Sequence, residues 1–190
     1  MSVGPINRKY YYDSVRGSLF SGSMKQSQVD GQNALLDYGE QQSWDDRWLA
    51  YLLATAFWET AQTVQPIAEY GKGQGKPYGK PDGPYGQVYY GRGFVQLTWY
   101  DNYNKQDKKL KLNGQLVKVA DTALDLQVAT DIIFGGMRGG DFTGVGLAKY
   151  INDSQTDFYN ARKIVNGLDQ ATTIQGIAVK FLNAITHLAG

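Results

Sequence analysis

Glu59 and Glu69 are consecutive acidic residues, ten positions apart, separated by the stretch TAQTVQPIA. Two carboxyl groups in different environments are the minimal equipment for hydrolysing a glycosidic bond, one as proton donor and one as base or nucleophile. A bend at Pro66 allows the second carboxyl to face the first across a groove. The chain carries 18 acidic residues, so many such pairs exist, and spacing alone does not decide.

Glu59 lies near the end of SWDDRWLAYLLATAFWETAQ, residues 43–62, which the spacing predicts as a helix. Ser43 is a suitable N-cap, and Asp45 and Asp46 fall in the first turn, where the helix dipole favours negative charge. Trp48, Leu52 and Ala56 form an apolar stripe at four-residue spacing. Seven residues make about two turns, so Glu59 continues the face of Leu52. Burial by Phe57 and Trp58 and a place in the last turn both disfavour its charged form, which suits a general acid. The alternative is an ordinary solvated glutamate at a helix end.

The second stretch that invites chemistry is YYGRGFVQLTWYDNY, residues 89–103. Gln96, Thr98 and Asn102 are spaced through an otherwise apolar segment. Buried polar groups are costly unless paired, so this pattern suits the floor of a cleft whose partners are sugar hydroxyls or a bound water. The alternative is a strand–helix junction with self-satisfied polar groups. Gly91 and Gly93 permit close approaches that a side chain would block. Arg92 is expected to pair with an internal carboxylate and fix the floor.

Composition narrows the chemistry. The chain has 190 residues, no cysteine and one histidine, His187. Disulfides, thiolate nucleophiles, zinc–thiolate sites and multi-histidine metal sites are excluded, and no cofactor is expected. A net charge of +1 gives no reason to expect a nucleic-acid partner. The N-terminal MSVGPINRKYYYDSV lacks the apolar run of a secretory signal, and no stretch reaches the roughly 20 apolar residues of a membrane span. Synthesis in the cytoplasm and a monomeric state are expected. Aromatic residues make up 13% of the chain, material for a core or for stacking on sugar rings.

The remaining segments read as mainly α, with at most one small β-hairpin, in a single domain over residues 1–190. A short helix is expected over Gln26–Tyr38, weakened by Gly31. GKGQGKPYGKPDGPYG, residues 71–86, is an ordered loop or short hairpin. Its lysines, Lys72, Lys76 and Lys80, make it either a solvated loop or a basic rim for a polar or anionic polymer. A turn is expected at Asn113-Gly114 and a helix from Asp121, broken by GGMRGGDFTG. DFYNARKIVNG is expected to be helical and capped by Gly167, and a final helix carries Ile174, Ile177, Phe181, Ile185 and Leu188.

Three stretches in order, ATAFWETA, YYGRGFVQLTWYDNY and ARKIVNG, resemble glycoside hydrolase family 19. That family holds the plant-type chitinases and a bacterial and bacteriophage branch of peptidoglycan-cleaving endolysins. The resemblance spans roughly Trp48 to Leu182. It implies a lysozyme-like, mostly helical (α+β) fold with two lobes around a substrate cleft. It implies Glu59 as general acid, Glu69 as general base and Thr98 as the hydroxyl that holds the attacking water. Gln96, Asn102, Asn166 and Tyr90 are then substrate-binding residues. Trp58 stands where the plant enzymes usually have histidine, and Asp101 where they have tyrosine. With the short Glu59–Glu69 segment and the absence of cysteine, these departures favour the phage-like branch. The expectation is an inverting endolysin-type glycosidase acting on the β-1,4 bonds of peptidoglycan after release from the cytoplasm. A chitinase on the same scaffold and a non-catalytic wall-binding module are the alternatives.

Overall fold

The computed structural model describes residues 4–189. The chain is mainly α. Its centre is the helix α3, Asp46–Glu59, and every residue from Leu49 to Phe57 is buried. The stripe read from Trp48, Leu52 and Ala56 is therefore only one side of a helix that is covered all round. Fully burying each of its leucines contributes about 1.5–3 kcal/mol. Its principal neighbour is α8, Ala171–Ala184, which also packs on α1, Arg8–Leu19, and on α7, Phe158–Ala161. α2, Gln26–Gln41, lies against α3 and against α6, Leu126–Gly139. Phe57 and Tyr11 both meet Phe181, the first edge-on and the second stacked.

A second group of elements carries the QLT segment. It comprises α4, Tyr100–Leu110, the single-turn α5, Gln115–Lys118, and a 3-10 stretch, Ala120–Leu124, that joins them to α6. The turn between α4 and α5 has positive φ at Asn113 and Gly114, as the sequence suggests. Buried Asp107 fixes it by accepting from the N–H groups of Gly114 and Leu116, both at 2.7 Å.

Several expectations need correction. The N-cap of α3 is Asp45, which accepts from Arg47 N at 2.8 Å; Ser43 has φ +50 and lies outside. α3 stops at Glu59 because Thr60 turns the chain. Its hydroxyl donates to Ala56 O at 2.7 Å and accepts from Val64 N at 2.9 Å. Gly31 does not weaken α2 but enables its packing: an added Cβ would fall 1.7 Å from Val64 O. α6 runs through Gly135 and Gly136, with the Phe142 ring seated on Gly136. Gly167 caps nothing, since α7 is one turn followed by a 3-10 turn, Arg162–Ile164. α8 ends at Ala184, leaving Ile185 and Leu188 beyond it.

Instead of at most one hairpin, the described residues hold three two-stranded antiparallel ladders. β1, Ile67–Ala68, pairs with β4, Arg92–Gly93; β2, Pro81–Asp82, pairs with β3, Gln87–Val88; β5, Ile151–Asn152, pairs with β6, Gln155–Thr156. Two-residue strands carry no alternation long enough to read.

The two ends of the described chain clasp each other. Asn7 N donates to Thr186 O at 2.7 Å and Leu188 N to Pro5 O at 2.9 Å. His187 sits between them, with Nδ1 2.7 Å from Gly4 O and Nε2 2.9 Å from Asp46 Oδ2. Both ring nitrogens thus face acceptors, which only the doubly protonated imidazolium can satisfy. Among the described residues no helix is long and apolar enough to cross a membrane.

Candidate active site

The last residue of α3 meets a residue from the far end of the sequence. Glu59 is 18% exposed and accepts at 2.5 Å from Arg162 Nη1, whose side chain is 3% exposed. Arg162 Nε donates to Asp169 O at 3.0 Å, which fixes the guanidinium plane. The α3 sequence alone does not reveal this counter-charge. Sequence reading also overlooked Arg162 itself. The available signal was an arginine inside ARKIV, between residues that turn out buried at Ala161 and Ile164, since a buried arginine calls for a carboxylate.

The segment after Glu59 is held tightly. Ala61, Gln62 and Val64 all have positive φ, which is uncommon for non-glycine residues and rare for a β-branched one. α2 supplies the restraint. Gln28 Nε2 donates to Gln62 O at 2.9 Å, and Gln65 Nε2 donates to Ser27 O. This path delivers the chain to β1 and then to Glu69.

Glu69 is half-buried and fixed at both backbone and side chain. Its N–H donates to Gly91 O at 2.8 Å, extending the β1–β4 pairing. Its carboxylate accepts from Gly73 N through Oε1 and from the Tyr78 hydroxyl through Oε2, the latter at 3.3 Å. The loop over residues 71–79 is therefore ordered around this carboxylate, while Lys72, Lys76 and Lys80 remain exposed at its surface. Gly91 is the contact point beneath: an added Cβ would lie 2.9 Å from Glu69 Oε2 and 2.8 Å from Gln96 Oε1. Gly93 has φ +83, a conformation glycine adopts freely.

Gln96 Nε2 donates to Ile67 O at 3.0 Å and Gly93 O at 3.3 Å, so the amide nitrogen closes the floor and the oxygen faces Glu69 across Gly91. The hydroxyl of half-buried Thr98 has no protein partner among the described residues. Asn102 donates through Nδ2 to Thr98 O at 3.0 Å, holding the start of α4. Tyr90 is half-buried, and the Arg92 guanidinium carbon lies 3.5 Å from its ring centroid, so one ring face is already taken. Arg92 is 4% exposed and pairs at 2.7 Å with Asp121, whose side chain is 64% exposed. It does fix the floor, also donating to Val88 O and Tyr90 O, but its carboxylate is a surface one. Asn166 is exposed and folds back to accept from Gly167 N at 2.8 Å.

The sequence-derived residues thus form two groups. One gathers Glu69, Gln96, Thr98 and Asn102 around Gly91 and the start of α4. The other joins Glu59 to the Arg162 segment, with Asn166 one turn beyond. A recess of about 80 Å³ opens beside the first group, lined by Tyr78, Lys80, Asp82, Tyr89, Trp99 and Tyr100 among others. A larger cavity, about 720 Å³, lies along Ile6, Glu40, Trp44, Asp46 and His187 at the opposite end of α3. About 20 Å of helix separates it from Glu59, and neither carboxylate of the pair lines it. No group of three or more metal-ligating side chains occurs among the described residues.

No family model matches the chain, and no curated protein sequence matches it. Among solved structures, a bacterial family 19 chitinase is similar. It is 20% identical, with 90% of this chain and 83% of that chain covered, at a TM-score of 0.32.

Proposed function

We propose that the chain is a glycoside hydrolase acting on β-1,4-linked N-acetylated glycans, with peptidoglycan as the polymer. The observation that carries this reading is the ion pair between Glu59 and Arg162, which brings ATAFWETA and ARKIVNG together across 103 positions. In this reading Arg162 holds Oε1 of Glu59, and Glu59 in its protonated form, with the proton on Oε2, donates it to the leaving oxygen. Glu69, held by Gly73 and Tyr78, draws a proton from a water that also bonds the free Thr98 hydroxyl. Water attack opposite the leaving group inverts the anomeric carbon. Gln96, Asn102, Asn166 and the open face of Tyr90 contact the sugars. The exposed lysines of the 71–80 loop favour an anionic wall over neutral chitin. The site needs no cofactor for this chemistry.

The test is mass spectrometry of fragments released from purified peptidoglycan, with chitin oligomers run alongside, and proton NMR of the first product before mutarotation. Peptidoglycan fragments bearing an initial α-anomer are expected. Glu59→Gln should lower the rate on the order of a hundredfold or more, as removal of a general acid does. Release from chitin alone would reassign the substrate, an initial β-anomer would rule out inversion, and a fully active Glu59→Gln would remove the assignment of the acid.

A further inference from the structure

Tyr78 touches both the candidate base and the most exposed indole of the molecule. Its hydroxyl donates to Glu69 Oε2 at 3.3 Å, and its ring meets Trp99 edge-on at 5.7 Å between centroids. Trp99 is 45% exposed, while Trp44, Trp48 and Trp58 are half-buried. Its backbone has φ +69, and its N–H is tied to Tyr89 O at 2.9 Å. An aromatic residue held at positive φ is uncommon. Here that conformation keeps the indole in solvent at the entrance to α4, directly after Thr98.

On the reading of the site given above, we propose that Tyr78 is a positioning residue that couples sugar stacking on Trp99 to the orientation of the Glu69 carboxylate. Two donors fix that carboxylate from one loop. Gly73 N is a main-chain donor; the phenol is a side-chain donor that moves with its ring. At 3.3 Å its hydrogen bond is longer than the roughly 2.5–3.0 Å usual for O–H···O, so a small shift of the ring shortens it. A sugar ring settling on Trp99 presses the indole against the Tyr78 ring and moves the hydroxyl toward Oε2. Burial first, and then the charge and hydrogen bond of Glu69, push the Tyr78 pKa up, so the phenol remains a donor near neutral pH.

The experiment uses the full chain on peptidoglycan or on chitin oligomers, whichever the wild type cleaves. Tyr78→Phe keeps the ring contact and removes the hydroxyl. Its kcat should fall on the order of tenfold with KM nearly unchanged, and the acid limb of the pH–rate profile should move to higher pH. Trp99→Leu should raise KM, and in that background Tyr78→Phe should lower kcat by less than it does alone. Wild-type kcat and pH profile in Tyr78→Phe, an effect confined to KM, or independent effects of the two substitutions would overturn the coupling. A wild type that cleaves neither polymer would overturn the reading of the site and this inference with it. An active wild type with an indifferent Tyr78 would overturn the inference alone.

Discussion

Arg162 holds Glu59 through a 2.5 Å contact between Nη1 and Oε1, with the guanidinium inside the protein and the carboxylate at its edge. Removing one partner leaves the other without its counter-charge. Arg162→Met keeps much of the apolar volume and deletes the charge. It should destabilise the fold by about 2–4 kcal/mol, somewhat below the range for a fully buried pair because Glu59 reaches solvent. On the proposed function, glycan cleavage should fall on the order of a hundredfold as Glu59 loses its orientation. Arg162→Lys should recover part of the stability and less of the rate, since lysine cannot keep both the Glu59 and Asp169 contacts in one plane. Urea titration and steady-state kinetics read the two effects separately.

Gly91 sits under two oxygens, and a methyl group there would lie within 3 Å of both Glu69 Oε2 and Gln96 Oε1. Gly91→Ala should therefore cost about 1–3 kcal/mol, as overpacking does, and should cut activity more than tenfold by displacing the Glu69 carboxylate. Gly17→Ala is the control. It lies in α1 with nothing within 4 Å of an added Cβ, and should be neutral or stabilising by up to about 1 kcal/mol. Thermal melts of both variants check the contrast.

His187 clasps the two ends of the described chain. Burial lowers its pKa, but hydrogen bonds to Asp46 and Gly4 and the charges of Asp46 and Glu40 outweigh this, so the net direction is upward from 6.5. Folding therefore favours the protonated form. The contribution is fully present below the unfolded value, about 6.5, and is lost as pH rises through the folded value. The wild-type Tm should decline as pH is raised above about 6.5, and His187→Gln should lose that part of the decline. Parallel pH-dependent melts that superimpose in slope would show that the clasp does not titrate.

The parts of the fold legible in the sequence are those with a long pattern or a strong stop. α3, α8 and the core of α2 announce themselves by apolar density, and the Asn113-Gly114 turn by its residues. α1 was missed because NRKYYYDSV reads as tyrosine-rich rather than periodic. Only the burial of Tyr11 and Val15, one turn apart, gives it a face. Ser43 lost the cap to Asp45 because local chemistry suits either, and only Asp45 also reaches the Arg47 guanidinium. In the site, Glu69 and the QLT residues were legible as types and positions. Their partners were not, because Gly73, Gly91 and Arg162 act through contacts that no spacing encodes.

The burial of α3 on every side has a consequence for how the molecule opens. A helix that is core on all faces exchanges its amide hydrogens only when the whole domain unfolds, whereas a two-residue ladder can part on its own. Glu59 therefore belongs to the most stable cooperative unit of the protein, through α3 and the Arg162 contact. Glu69 hangs on β1, β4 and a glycine-rich loop, which open at lower free energy. On warming, the loop that aims Glu69 loosens while α3 still stands. Deuterium should enter at Glu69 and Gly73 well before it enters at Leu52 or Leu53, so the support of the Glu69 carboxylate is lost while most of the fold is still intact.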